Sequence, residues 1–100
     1  MYGLISKITV VAGKRDEMIA VLKDSTAGMS GCLSYVLAKD SADENALWVT
    51  EIWDTAANHL ASLSSPQVKA TITRARPLIG GFERIAATEP VSGVHTASHF

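Results

Sequence analysis

The sequence predicts an α+β domain whose strands and helices follow the order β-α-β-β-α-β. Three observations carry this. Apolar or β-branched runs of strand length occur at residues 4–11, 32–39 and 46–53, and a more polar one at 82–89. Residues 14–29 and 55–76 space their apolar side chains three and four apart, as helices do. Only a polar turn, residues 40–45, separates the middle two runs, so they form an antiparallel hairpin. The result is a split βαβ arrangement, with a four-stranded antiparallel sheet, helices on one side and right-handed crossovers.

The first strand sets Leu4, Ile8 and Val10 on one side. Gly13 is the expected N-cap of the helix over residues 14–29. Met18, Leu22, Thr26 and Met29 form its apolar stripe, and Asp16 and Glu17 in the first turn suit the helix dipole. Gly28 and Ser30-Gly31 end it. The second strand holds Leu33, Tyr35 and Leu37 in one parity.

The third strand is apolar on both faces. Leu47, Val49, Glu51 and Trp53 share one; Ala46, Trp48, Thr50 and Ile52 share the other. An antiparallel sheet with one wet face alternates cleanly, and this strand does not. Helices cover one face. A second copy of the same sheet is the expected cover for the other, which makes a homodimer the expected assembly.

Asp54 or Thr55 caps a short helix reaching about residue 63, with Ala56, Leu60 and Leu63 on one face and His59 on its flank. Ser65 caps the next helix and Pro66 takes its first position. Val68, Ile72, Ala75 and Ile79 are its expected core stripe, beside a polar line of Lys69, Thr73 and Arg76. Pro77 kinks or ends it. Gly80-Gly81 is expected to break the chain before the fourth strand, residues 82–89, which is polar enough for a sheet edge. One domain of residues 1–92 follows, with residues 93–100 as a flexible or partner-contacting tail. His95 and His99 in that tail lack the spacing of a metal site.

Composition removes several function classes. Hydrophobic residues are 47% of the chain against 19% charged, which suggests a core plus a cavity, or apolar surface held against a partner. The formal net charge is −1 with no basic stripe, so nucleic-acid binding has no support. No apolar run is long enough for a membrane span, and the first residues lack a signal-peptide pattern. Cys32 is alone, which excludes an intramolecular disulfide and makes the cytoplasm the expected location. No phosphate loop, Gly-x-Ser-x-Gly elbow, His-Glu-x-x-His or Cys-x-x-Cys occurs, against nicotinamide, ATP and zinc chemistry.

An acid, an indole and an imidazole fall close together at Glu51, Trp53 and His59. His59 is either a proton acceptor for a phenol or enol, or a half-solvated histidine on a helix flank. Trp53 either walls a pocket for a flat substrate or fills the core. Glu51 sits in an apolar parity, so it needs a partner; an ion pair with Arg74, Arg76 or Arg84 is the plain reading. Arg76 either steadies a developing anion or lies on a solvated helix face. Tyr35 lines a pocket or packs in the core, and Cys32 is buried and inert.

The runs MYGLISKITVVAGKRDEM, GCLSYVLAKDSADENALWVTEIWD and HLASLSSPQVKATITRARPLIGGF resemble the antibiotic biosynthesis monooxygenase family, which includes small quinol monooxygenases and anthrone oxygenases. Glu51-x-Trp53, the helix after it and the Ser65-Pro66 step carry most of the resemblance. It implies a ferredoxin-like fold paired across a homodimer into an α+β barrel. It also implies a pocket between sheet and helices, and oxygen chemistry on a small aromatic substrate without metal, flavin or other cofactor. In that setting His59 and Arg76 are the expected catalytic residues, and Trp53, Glu51, Tyr35, Leu63 and Phe82 the expected substrate contacts. Two departures stand out. Many members carry a histidine where this chain has Ser62, and haem-degrading relatives use an asparagine on the first strand near Ser6, where this chain has none. The alternative to an oxygenase is a dimeric protein that binds a small hydrophobic ligand without turning it over.

Overall fold

The computed structural model describes residues 1–25 and 29–93. Its elements are β1 (Tyr2–Val10), α1 (Arg15–Lys23), β2 (Cys32–Lys39), β3 (Ala46–Trp53), α2 (Ala56–Ser62), α3 (Pro66–Ala75), a 3-10 turn (Arg76–Leu78) and β4 (Ile79–Thr88). The strands form one sheet in the order β2-β3-β1-β4, every pair antiparallel. With α2 and α3 sharing the second helical position, this is the ferredoxin-like β-α-β-β-α-β fold. Among the described residues no helix is long and apolar enough to cross a membrane.

Register decides the faces. Leu4 opposes Glu51, Ser6 opposes Val49 and Ile8 opposes Leu47, so the even positions of β1 and the odd positions of β3 point the same way. That face meets the helices. Ile8, Val10, Leu47 and Val49 pack there against Met18 and Val21 of α1, Ala75 of α3, and Leu78. On the second strand a register irregularity between Cys32 and Ser34 throws Leu33 out of the parity it was expected to share with Tyr35 and Leu37, and leaves it exposed.

In the hairpin between β2 and β3 the Asp40 carboxylate gathers three donors. Asp40 accepts from the backbone N–H of Ala42 and Asp43, and from Trp48 Nε1 at 2.8 Å. These donors, Trp48 first, hold its carboxyl down to about 2. Arg15 Nη1 donates to the carbonyls of Asp40, Asp43 and Ala46 at 3.3, 2.9 and 3.2 Å, tying this turn to the start of α1.

Several local expectations are corrected. Lys14, not Gly13, is the N-cap of α1; Gly13 instead turns the chain at φ +79°. Helix α1 ends at Lys23, and Thr26 and Gly28 lie outside the described residues. The buried residues of α3 are Thr71 and Ala75, so Ile72 and Ile79 stand more than a third exposed. On α2 the inward residues are His59 and Ser62, while Ala56, Leu60 and Leu63 face outward. The helix turns this way because His59 packs on the rings of Tyr2 and Trp53. Gly80-Gly81 does not interrupt the chain: both lie inside β4, where the register shifts between Thr9 and Val10. Thr55 and Ser65 cap their helices as expected, accepting from the N–H of Asn58 and Val68. Pro77 follows the end of α3 and sits in the 3-10 turn.

Gly31 sits at φ +87°, and its carbonyl accepts from Asp54 N–H, joining the approach to β2 to the start of α2. A Cβ there would stand 2.7 Å from Asp54 Oδ1 and 2.9 Å from Asn58 Nδ2; at Gly13 it would meet nothing within 4 Å. Gly31→Ala is therefore expected to lower unfolding free energy by about 2–3 kcal/mol. Gly13→Ala, strained but not crowded, should lose only about 1 kcal/mol. Urea titrations at one protein concentration check the order; equal losses would mean that crowding at Gly31 is relieved by local shifts.

Candidate active site

Between the sheet and the helices lies an apolar cavity of about 220 Å³. Its floor is Ser6 and Ile8 of β1 with Val49 and Glu51 of β3. Tyr35 of β2 closes one side, Ile79 and Phe82 of β4 the other. Leu22, Thr71, Ile72, Ala75 and Arg76 form the roof. The cavity exists because α3 presents small or short side chains, Thr71 and Ala75, toward the sheet and leaves Ile72 at the margin. A groove of about 270 Å³ near Met1, Leu33, Ile52 and Pro90 has no titratable side chain among its lining residues.

Of the expected site residues, Glu51, Tyr35, Arg76 and Phe82 come together on this cavity. Trp53 and His59 stand behind it. Trp53 is fully buried, and its Nε1 donates to Glu51 Oε1 at 3.1 Å. His59 packs edge-on against Trp53, ring centroids 5.3 Å apart, and against Tyr2 at 5.8 Å. A path of contacts thus runs from His59 through Trp53 to the carboxylate facing the cavity. Leu63 is exposed on the outer side of α2 and does not line the cavity.

Glu51 is partnered by that indole. Among the described residues it has no ion pair; Arg74 pairs with Asp24 at 3.5 Å instead. Arg76 extends from the end of α3 to the cavity margin with its side chain exposed. Tyr35 sits directly across from Glu51 on the neighbouring strand. Burial, and then the Glu51 charge, push the Tyr35 phenol up to about 12, against a smaller pull from Ser25. Near neutral pH it is a donor. Burial lowers the His59 pKa; Glu51 pulls it up and Arg84 presses it down. The imidazole is therefore neutral and able to accept a proton.

Ser6 and Thr71 were missed from sequence. The signal for Ser6 was present, since it occupies the same parity as Leu4, Ile8 and Val10. Thr71 could not be found that way, because the helical stripe pointed to Ile72. Among the described residues no three His, Cys, Asp or Glu side chains gather into a metal-binding group.

A family model described as antibiotic biosynthesis monooxygenase matches residues 1–74. The chain is 46% identical to a Chloroflexus aurantiacus protein provisionally designated an antibiotic biosynthesis monooxygenase, and superposes on its crystal structure with a TM-score of 0.89 over 94% of this chain and 96% of that one. A similarly designated protein from Bacteroides thetaiotaomicron gives 0.81 at 19% identity over 95% and 94%. One from Nitrosomonas europaea gives 0.80 at 10% over 92% and 100%. At those identities the last two are likenesses of fold. No curated protein matches the chain.

Two titrations test the electrostatics. An unfolded histidine takes up its proton near 6.5 and folded His59 only at lower pH, so its contribution to stability is complete above about pH 6.5 and declines as pH falls. Urea midpoints should drop less on acidification in His59→Gln than in the wild type; parallel curves would show a solvated imidazole. At the alkaline end, a component of phenolate absorbance should appear near pH 12 and vanish in Tyr35→Phe. Its appearance near 10 instead would place Tyr35 in water.

Proposed function

Because the chain belongs to the antibiotic biosynthesis monooxygenase family, we propose that its sheet–helix cavity oxidises a small electron-rich aromatic, a quinol- or anthrone-type hydroxyarene, with O₂ and no cofactor. The observation that carries this reading is Glu51: a carboxylate on the floor of an otherwise apolar cavity, held by one indole N–H, with a protonated tyrosine across from it and an arginine at the margin.

In the proposed reaction Glu51 takes the acidic proton of the bound hydroxyarene, and His59, packed edge-on behind Trp53, holds the indole on that carboxylate. Arg76 and the Tyr35 hydroxyl face the anion that forms. The anion passes one electron to O₂, the radical pair joins at the open carbon opposite the oxygen, and the resulting hydroperoxide eliminates water to leave a quinone. One oxygen atom enters the product and the other leaves as water, so the substrate supplies every electron. The protein contributes position, proton transfer and an apolar enclosure.

The reading includes a homodimer formed through the outer sheet face. Ile5, Val36, Trp48 and Ile52 are half-buried there and Leu33 is exposed, more apolar surface than a solvated face carries. Light scattering at micromolar concentration should give twice the chain mass; a stable monomer would remove the dimer.

The activity is tested by oxygen uptake with 1-naphthol or a methyl-substituted 1-naphthol under ¹⁸O₂. One labelled atom per quinone is expected, with kcat/KM in Glu51→Gln lower by about 10²–10⁴-fold and in His59→Gln by less. Tight binding of these compounds without oxygen uptake would favour a ligand-binding protein.

A further inference from the structure

We propose that Ser6 is the residue that reads the substrate's oxygen, so that the cavity selects a one- or two-ring hydroxyarene over the same ring system without its hydroxyl. The inference rests on the cavity being the substrate site, and goes beyond it in naming the contact and the size class.

Ser6 is 1% exposed, and its Oγ is buried with no hydrogen-bond partner. Buried polar groups in folded proteins are almost always paired, and an orphan calls for a missing partner. The fold does not use this hydroxyl. Its strand neighbours on the same face are Leu4 and Ile8, and its partner on β3 is Val49, so an aliphatic residue would serve the packing better. The one thing Ser6 borders besides core is the cavity.

Among the cavity's polar groups Glu51 is already engaged, accepting from Trp53 Nε1. The Ser6 hydroxyl keeps its whole capacity, one O–H to donate and lone pairs to accept. A single uncharged hydroxyl cannot compensate a buried ion, so the group it meets on arrival is a neutral phenol or carbonyl oxygen. The volume sets the ring count. An apolar cavity of about 150 Å³ takes one benzene ring, so about 220 Å³ holds one substituted ring or a fused pair.

The test compares 1-naphthol with 1-methylnaphthalene, which replaces the hydroxyl by a methyl of similar size. By equilibrium dialysis the wild-type protein should bind 1-naphthol about tenfold tighter. In Ser6→Ala the preference should shrink by about threefold or more while affinity for 1-methylnaphthalene is kept. The unliganded Tm of Ser6→Ala should not fall, because the substitution removes an unsatisfied group. Ser6→Cys, which preserves volume and weakens the donor, should also lose preference and serves if the alanine variant does not fold. A wild-type protein without preference, or a preference unchanged in Ser6→Ala, overturns the proposal. Preference lost in Ser6→Ala with no oxygen uptake by the wild type removes the oxidation and keeps the Ser6 contact. Oxygen uptake with unchanged preference does the reverse.

Discussion

The pairing of β1 with β3 is the constraint on which the rest depends. Side chains alternate along a strand, so a slip of one residue turns every one of them to the opposite face. Here the observed register gathers Leu4, Ile8 and Val10 with Leu47, Val49 and Trp53 under the helices. Full burial of such a side chain is worth about 1.5–3 kcal/mol, and a slip of either strand would turn its three outward at once. That loss is on the scale of the roughly 5–15 kcal/mol by which whole domains are stable. The same register carries Ser6 and Glu51 inward along with the apolar set. Their placement among hydrophobic residues is enforced by the neighbours and not by any preference of their own.

Two polar groups thus enter the core by compulsion, and the molecule treats them differently. Glu51 receives an indole N–H from Trp53, whose ring also supports His59. Ser6 receives nothing. A protein that needed only a stable core would have no reason to keep either, and both face the cavity. The carboxylate's charge also reaches outward: it helps keep the Tyr35 phenol protonated and works against burial at His59. One buried charge organises the electrostatics on both sides of it.

The cavity follows from how α3 is turned. Thr71 and Ala75 face the sheet and are too short to fill the space above Ser6 and Val49, while Ile72 and Ile79 stand at its margin. Had Ile72 and Ile79 pointed inward, as the apolar spacing suggested, they would have occupied this volume. The rotation that spoils the simple amphipathic pattern also creates the cavity. Helix α2 makes a parallel choice, turning His59 and Ser62 inward and leaving Leu60 and Leu63 outside.

The strand runs, the hairpin and both N-caps of α2 and α3 were legible in the sequence, because alternation, polar turn residues and Ser or Thr ahead of a helix act over a few neighbouring residues. Glu51, Tyr35, Arg76 and Phe82 were legible as site candidates for a related reason, being polar or aromatic groups on otherwise apolar faces or at element ends. What needed tertiary structure was every choice made between elements. The rotation of α2 and α3 depends on which side fits the sheet, and short helices carry too few apolar residues to dictate it. The irregularity that ejects Leu33 and the continuation of β4 through Gly80-Gly81 are decided by the strands they pair with. The separation of His59 from the cavity by Trp53 is likewise a fact of packing: proximity in sequence put the two rings together, and only the fold determined that the indole stands between the imidazole and the space a ligand would fill.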